Sequence, residues 1–131
     1  MNALARIPVV VYGLIGLGGI AAGLYAFFWI GFRQGQGHEI LEIGSAAIAV
    51  GVLSLCCAMN FQASSPWRYA VIVFFALISL VHWMDFFRGS LPLVSPILNS
   101  LPILLTVVAE IVWHRFRIMS PASPGSRASE R

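Results

Sequence analysis

The chain has 131 residues, 59% of them hydrophobic and only 10% charged, with a formal charge of +3. Soluble domains carry roughly a quarter charged residues, so too few polar groups exist here to coat a water-facing surface, and a mean hydropathy of +0.86 points to lipid as the surrounding medium. All eight cationic residues are Arg, and no polar face interleaves them with aromatics, which excludes a nucleic-acid binder.

The first element, about residues 7–32, holds the stretch VVVYGLIGLGGIAAGLY at 9–25. Gly16-x-Gly18-x-x-Ala21, with Glu39 some way downstream, fits the dinucleotide-binding pattern. The context does not fit it. No alternating strands follow, and the helix after the glycines would have no solvent-facing side. As one membrane helix the same stretch makes sense: Gly16, Gly19, Gly23 and Ala26 recur every three or four residues and form a small-residue ridge that admits a neighbouring backbone. The apolar run exceeds the core of a cleaved signal peptide, roughly 7 to 15 residues, so the segment is expected to be retained.

The second element, about 39–61, opens on Glu39 and Glu42, three residues apart and therefore on one helix face. Glu42, Ser45, Ala49 and Cys56 continue a stripe that is expected to turn Glu42 into the bundle. Adjacent Cys56 and Cys57 lie too close in sequence for ordinary disulfide geometry and read as packing residues.

The third element, about 67–88, ends on His82 and Asp85, again three apart. The fourth, about 95–116, is expected to begin with Ser95 as N-cap and Pro96 at the first helical position, and to bend at Pro102. Asn99, Thr106 and Glu110 form an inward stripe on it. The final segment 118–131, rich in Ser, Pro and Gly, is expected to be a disordered tail.

Each span can cross a hydrocarbon layer of ~30 Å, which takes about 20 helical residues. The fold class is therefore an all-α membrane protein, a four-transmembrane-helix bundle comprising residues 1–117 as one domain. An even number of spans puts Arg6, Arg68, Arg115, Arg117, Arg127 and Arg131 on one side and Arg33 and Arg88 on the other. The positive-inside rule then places both termini in the cytoplasm, and Trp29, Trp67, Trp83 and Trp113 fall near helix ends as an aromatic belt.

Polar residues within the spans are costly in lipid, so they mark candidate sites. Toward the outer face Glu39, Glu42, His82, Asp85 and Asn99 share one leaflet and form an expected polar ligand pocket. As donors, Glu39, Glu42, His82 and Asp85 would suit iron, manganese or zinc, but they do not repeat the Glu-x-x-His pairs of di-iron bundles, and no metal site is assigned. No cofactor is required by the sequence; a quinone or a lipid headgroup is the ligand class that such a pocket between apolar helices accommodates. Toward the inner face Glu110 needs a partner. Tyr12, Asn60 and His114 share its depth, and Arg68 or Arg115 can reach back to it from the interface. No nucleophile with an adjacent base is present, so no catalytic residue is assigned.

The stretch HEILEIGSAAIAVGVL, an acid at the start of the second helix followed by small residues and a Gly-bearing apolar run, resembles the DoxX-type family of small four-helix membrane proteins. The resemblance covers the second span and the four-span layout. It implies an accessory subunit of a membrane oxidoreductase complex, in some cases coupled to quinone, in the bacterial inner (plasma) membrane. The expectation is a multi-pass protein without catalysis of its own that binds an amphiphile or quinone, its partners being the lipid bilayer and a membrane-protein complex or a second copy. Two other readings are a subunit of a quinone-linked oxidoreductase, with Glu42, His82 and Asp85 exchanging protons, and a small proton-coupled transporter using Glu110.

Overall fold

The computed structural model describes residues 3–33 and 38–119. Its elements are α1 (Ala3–Leu24), which continues into a π-helical segment (Tyr25–Arg33), then α2 (His38–Met59), α3 (Ser65–Phe87) and α4 (Val94–Met119). All four helices are long and apolar enough to cross a membrane, and no strand occurs among the described residues. The GxGxxA stretch accordingly lies inside a continuous helix, with no strand–turn–helix unit around it.

The helices pack around a square: α1 against α2 and α4, α3 against α4 and, most loosely, α2 against α3. The tightest seam, α1 on α2, is built from glycine. A Cβ placed on Gly23 would lie 2.6 Å from the Gly44 carbonyl oxygen, one on Gly16 2.9 Å from that of Gly51, and one on Gly19 3.2 Å from the Gly51 Cα. Small residues let the two backbones meet, which is how apolar helices associate when lipid offers no hydrophobic gain. This contact also decides which face of α2 turns inward. Gly44, Gly51, Ser54 and Cys57 are its buried residues, whereas Glu42, Ser45, Ala49 and Cys56 are exposed. The stripe through Glu42 therefore points outward, against expectation, because the glycine face wins the closer approach.

The buried hydrophobic core gathers at one end. Ala5 and Tyr12 come from the start of α1, Cys57 and Phe61 from the end of α2 and the turn after it, Val71 from the start of α3, and Ala109 and Trp113 from α4. Phe61 meets Tyr12 and Trp113 edge-on at centroid distances of 5.4 and 5.1 Å. Trp113 is thus a core residue rather than part of an outer aromatic belt, while Trp29 and Trp67 are exposed. Elsewhere large apolar side chains dominate the outside: Leu14, Leu17, Ile43, Leu77, Leu104 and Ile118 are all exposed.

Two helix ends show how local sequence sets the connections. After α3, Gly89 takes φ +75, its N–H donates to Phe86 O at 2.9 Å, and Ser90 N–H donates to Asp85 O at 2.9 Å. This paired 5→2 and 6→1 closure needs a left-handed residue, which Gly supplies without strain. Helix α4 starts at Val94, one residue before the expected cap, and Ser95 instead bonds across to α3. It also runs through Met119, so the first two residues of the expected tail are helical; the remainder of that tail, 120–131, lies outside the described residues, as does most of the first connection, 34–37.

Candidate functional site

Two polar clusters sit at opposite ends of the bundle. At the first, Arg68, one turn into α3, is 3% exposed and meets Glu110 of α4 through two parallel bonds, Nε to Oε1 at 2.6 Å and Nη2 to Oε2 at 3.2 Å. Tyr12 of α1, fully buried, donates its hydroxyl to Glu110 Oε1 at 3.2 Å. The third guanidinium nitrogen, Nη1, donates to the Phe61 carbonyl and to Ser64 Oγ at 3.3 Å. Ser64 in turn donates to the carbonyls of Cys57 and Phe61 at 3.3 and 3.2 Å. The guanidinium lies over the Phe61 ring, with Cζ 4.1 Å from the centroid. One charge pair therefore ties α1, α3, α4 and the α2–α3 turn together, with the donors of Arg68 spread over a carboxylate, a carbonyl and a hydroxyl. A bidentate Arg–carboxylate pair is the geometry in which a buried ion pair holds best.

Of the other residues expected near Glu110, His114 is exposed and shares a surface cleft with it. Asn60 is exposed and lines a different depression with Leu53, Cys56 and Trp67. Neither makes a side-chain hydrogen bond to Glu110.

At the second end, the loose α2–α3 seam opens into a groove of about 630 Å³. Ala46, Ala47 and Val50 of α2 form one wall and Phe74, Phe75 and Ile78 of α3 the other, while Gly19, Ala22 and Pro102 close its floor. Its polar end carries His82, Asp85 and Asn99. His82 Nδ1 is held by Ser95 Oγ at 3.0 Å, which leaves Nε2 for a ligand. Asn99 spends one amide N–H on Ser95 O at 2.9 Å and keeps its other N–H and its Oδ1. Asp85 is partly exposed, with Arg88 Nη1 3.6 Å from its carboxylate. Beneath this group, Ser79 and Ser100 share a hydrogen bond of 2.7 Å, and Trp83 donates to Ser100 at 3.1 Å, fastening α3 to α4.

Glu39 and Glu42 do not join this group. Glu42 is 66% exposed and pairs with His38 on its own helix at 3.0 Å. Among the described residues no three His, Cys, Asp or Glu side chains converge as metal ligands. Three of the five outer residues named from sequence thus line one groove, and the two glutamates lie outside it.

The sequence reading gives Ser95 only as a helix cap, not as the partner of His82, and does not include the Ser79–Ser100 pair. Ser79 and His82 stand three apart on α3, as hydrogen-bonding residues sharing a helix face do, and this spacing was the available signal. Compared with family models, with curated proteins and with solved structures, the chain matches none.

Proposed function

We propose that the chain is a multi-pass integral membrane protein that holds an amphiphile of the isoprenoid-quinone class in the α2–α3 groove, without catalysis of its own. Support for the membrane comes from the exposed apolar side chains on all four helices, which water would penalise and hydrocarbon would not. With Arg6, Arg68, Arg115 and Arg117 at one end and Arg33 and Arg88 at the other, the positive-inside rule puts the Arg68 end in the cytoplasm.

The observation that carries the ligand reading is the groove itself. A hydrocarbon tail would lie along its Ala, Val and Phe walls, and a head bearing two carbonyl oxygens would accept from the His82 imidazole and the Asn99 amide. Asp85 would accept from the hydroxyl of the reduced form. Glu39, Glu42 and Asp85 outnumber Arg33 and Arg88 at this end, which favours a neutral head over a phosphate. The second-helix resemblance to the DoxX-type family agrees with an accessory role beside a quinone-linked oxidoreductase. Glu110, whose oxygens both accept hydrogen bonds from Arg68 or Tyr12, serves as a fastening rather than as an exchanging carboxylate.

The test is a titration of the detergent-purified protein with decyl-ubiquinone, followed by tryptophan fluorescence. His82→Ala and Asn99→Leu should each weaken binding roughly tenfold, the loss of a hydrogen bond to a ligand, and Val50→Trp should fill the groove and abolish binding. Saturation unchanged in all three variants would remove the proposal. Retention of phospholipid but never quinone would reassign the groove to an acyl chain.

A further inference from the structure

The end of the bundle opposite the groove carries a charge arrangement that the groove does not use. Between the start of α3 and the end of α4 lies a cleft of about 320 Å³, walled by Ser65 and Tyr69 on one side and His114, Arg115 and Arg117 on the other. The Arg68–Glu110 pair also lines it, and there the two charges cancel. Arg115 and Arg117 make no ion pair among the described residues. The other described carboxylates, Glu39, Glu42 and Asp85, are all at the far end of the bundle. Two exposed guanidinium groups, two hydroxyl groups and an imidazole therefore surround a cleft that holds no uncompensated negative charge of its own.

We infer that this cleft binds the phosphate of an anionic phospholipid headgroup. The inference rests on the membrane reading above but not on the groove or its ligand. Guanidinium groups bond phosphate oxygens in pairs, and basic clefts between helix ends at the cytoplasmic face are suited to anionic heads. A lipid fits better than a bare anion because the cleft opens onto an apolar helix face: Ile111, which lines it, and Val107 and Leu104, one and two turns further into the span, are all exposed. Phosphate would meet Arg115 and Arg117 while the acyl chains run along these side chains. Bound there, the headgroup bridges α3 and α4 directly beneath the Arg68–Glu110 pair and supplies a counter-charge to Arg115 and Arg117, which have none among the described residues.

The experiment is native mass spectrometry of the full chain in a neutral detergent, titrated in separate arms with phosphatidylglycerol, phosphatidylcholine and inorganic phosphate. Phosphatidylglycerol should bind in preference to phosphatidylcholine, and the double variant Arg115→Gln/Arg117→Gln should weaken it by roughly 20-fold. Both side chains are exposed, so the variant should keep its helix content by circular dichroism. Arg115→Lys/Arg117→Lys should retain part of the preference, since charge survives where paired bonding does not. Equal binding of the two lipids, or undiminished phosphatidylglycerol binding in the Gln variant, would overturn the inference. Inorganic phosphate that binds as tightly as phosphatidylglycerol would overturn the lipid as its source. Decyl-ubiquinone titration of the same double variant should match the unaltered chain, so a failure of the headgroup site and a failure of the groove are read independently. A chain that stays monodisperse without detergent would instead remove the membrane reading beneath both.

Discussion

The two ends of this bundle handle polar groups in opposite ways. At the Arg68 end both carboxylate oxygens of Glu110 and all three nitrogens of Arg68 are engaged within the protein, and the largest buried aromatic cluster closes around them. At the His82 end the helices part, and His82, Asn99 and Asp85 each keep bonding capacity directed at no other helix. Polarity inside an apolar fold thus has two outcomes. Fully partnered, it fastens helices; half partnered beside a groove, it is available to a ligand.

The sharpest way to break this contrast is Arg68→Ala. It leaves the mostly buried Glu110 carboxylate without its charge partner, with only the Tyr12 hydroxyl still donating to it, and should cost about 3–5 kcal/mol, seen as a fall in unfolding temperature in detergent; an unchanged transition would mean that the pair fastens nothing. Replacing both partners with apolar residues, Arg68→Met/Glu110→Leu, should recover most of that loss, because no charge is left buried alone.

Next in size is Gly23→Val, which drives a side chain into the Gly44 carbonyl and should destabilise by about 1–3 kcal/mol in the same assay. Gly18, with open space around it, is the control, and Gly18→Ala should shift stability by less than about 0.5 kcal/mol. Equal effects at the two glycines would disprove the seam. Tyr12→Phe removes one hydrogen bond to a charged group and should cost about 1.5 kcal/mol, leaving quinone titration unaltered. The smallest effect belongs to Glu42→Gln. Its exposed pair with His38 should contribute under about 1 kcal/mol, and quinone binding should not change, whereas a marked loss of binding would return Glu42 to the ligand site.

The existence of the four long apolar helices is legible in the sequence because apolar run length is a direct physical signal. The α1 ridge is legible too, since Gly16, Gly19 and Gly23 can share a face only in a helix. The face of α2 is not. Two stripes compete there, one through Glu42 and Ser45 and one through Gly44 and Gly51, and only knowledge of what packs against α2 ranks close backbone approach above polarity. Arg68 poses a similar difficulty: from sequence it is one of two arginines within reach of Glu110, and the choice depends on the turn after α2 folding Phe61 under its guanidinium. Ser95 carries a strong local signal for capping that loses to a cross-helix bond, because His82 on α3 stands opposite it.

The central claim, that the half-partnered end holds a quinone in its groove while the Arg68–Glu110 cluster does not, is tested most directly by photolabelling the protein in membranes with an azido-quinone and mapping the modified residues by mass spectrometry. The account predicts adducts confined to groove residues such as Val50, Phe75 and Ile78 and suppressed by excess decyl-ubiquinone. Adducts scattered over the outward residues of all four helices, or concentrated around Tyr12 and Glu110, would contradict it.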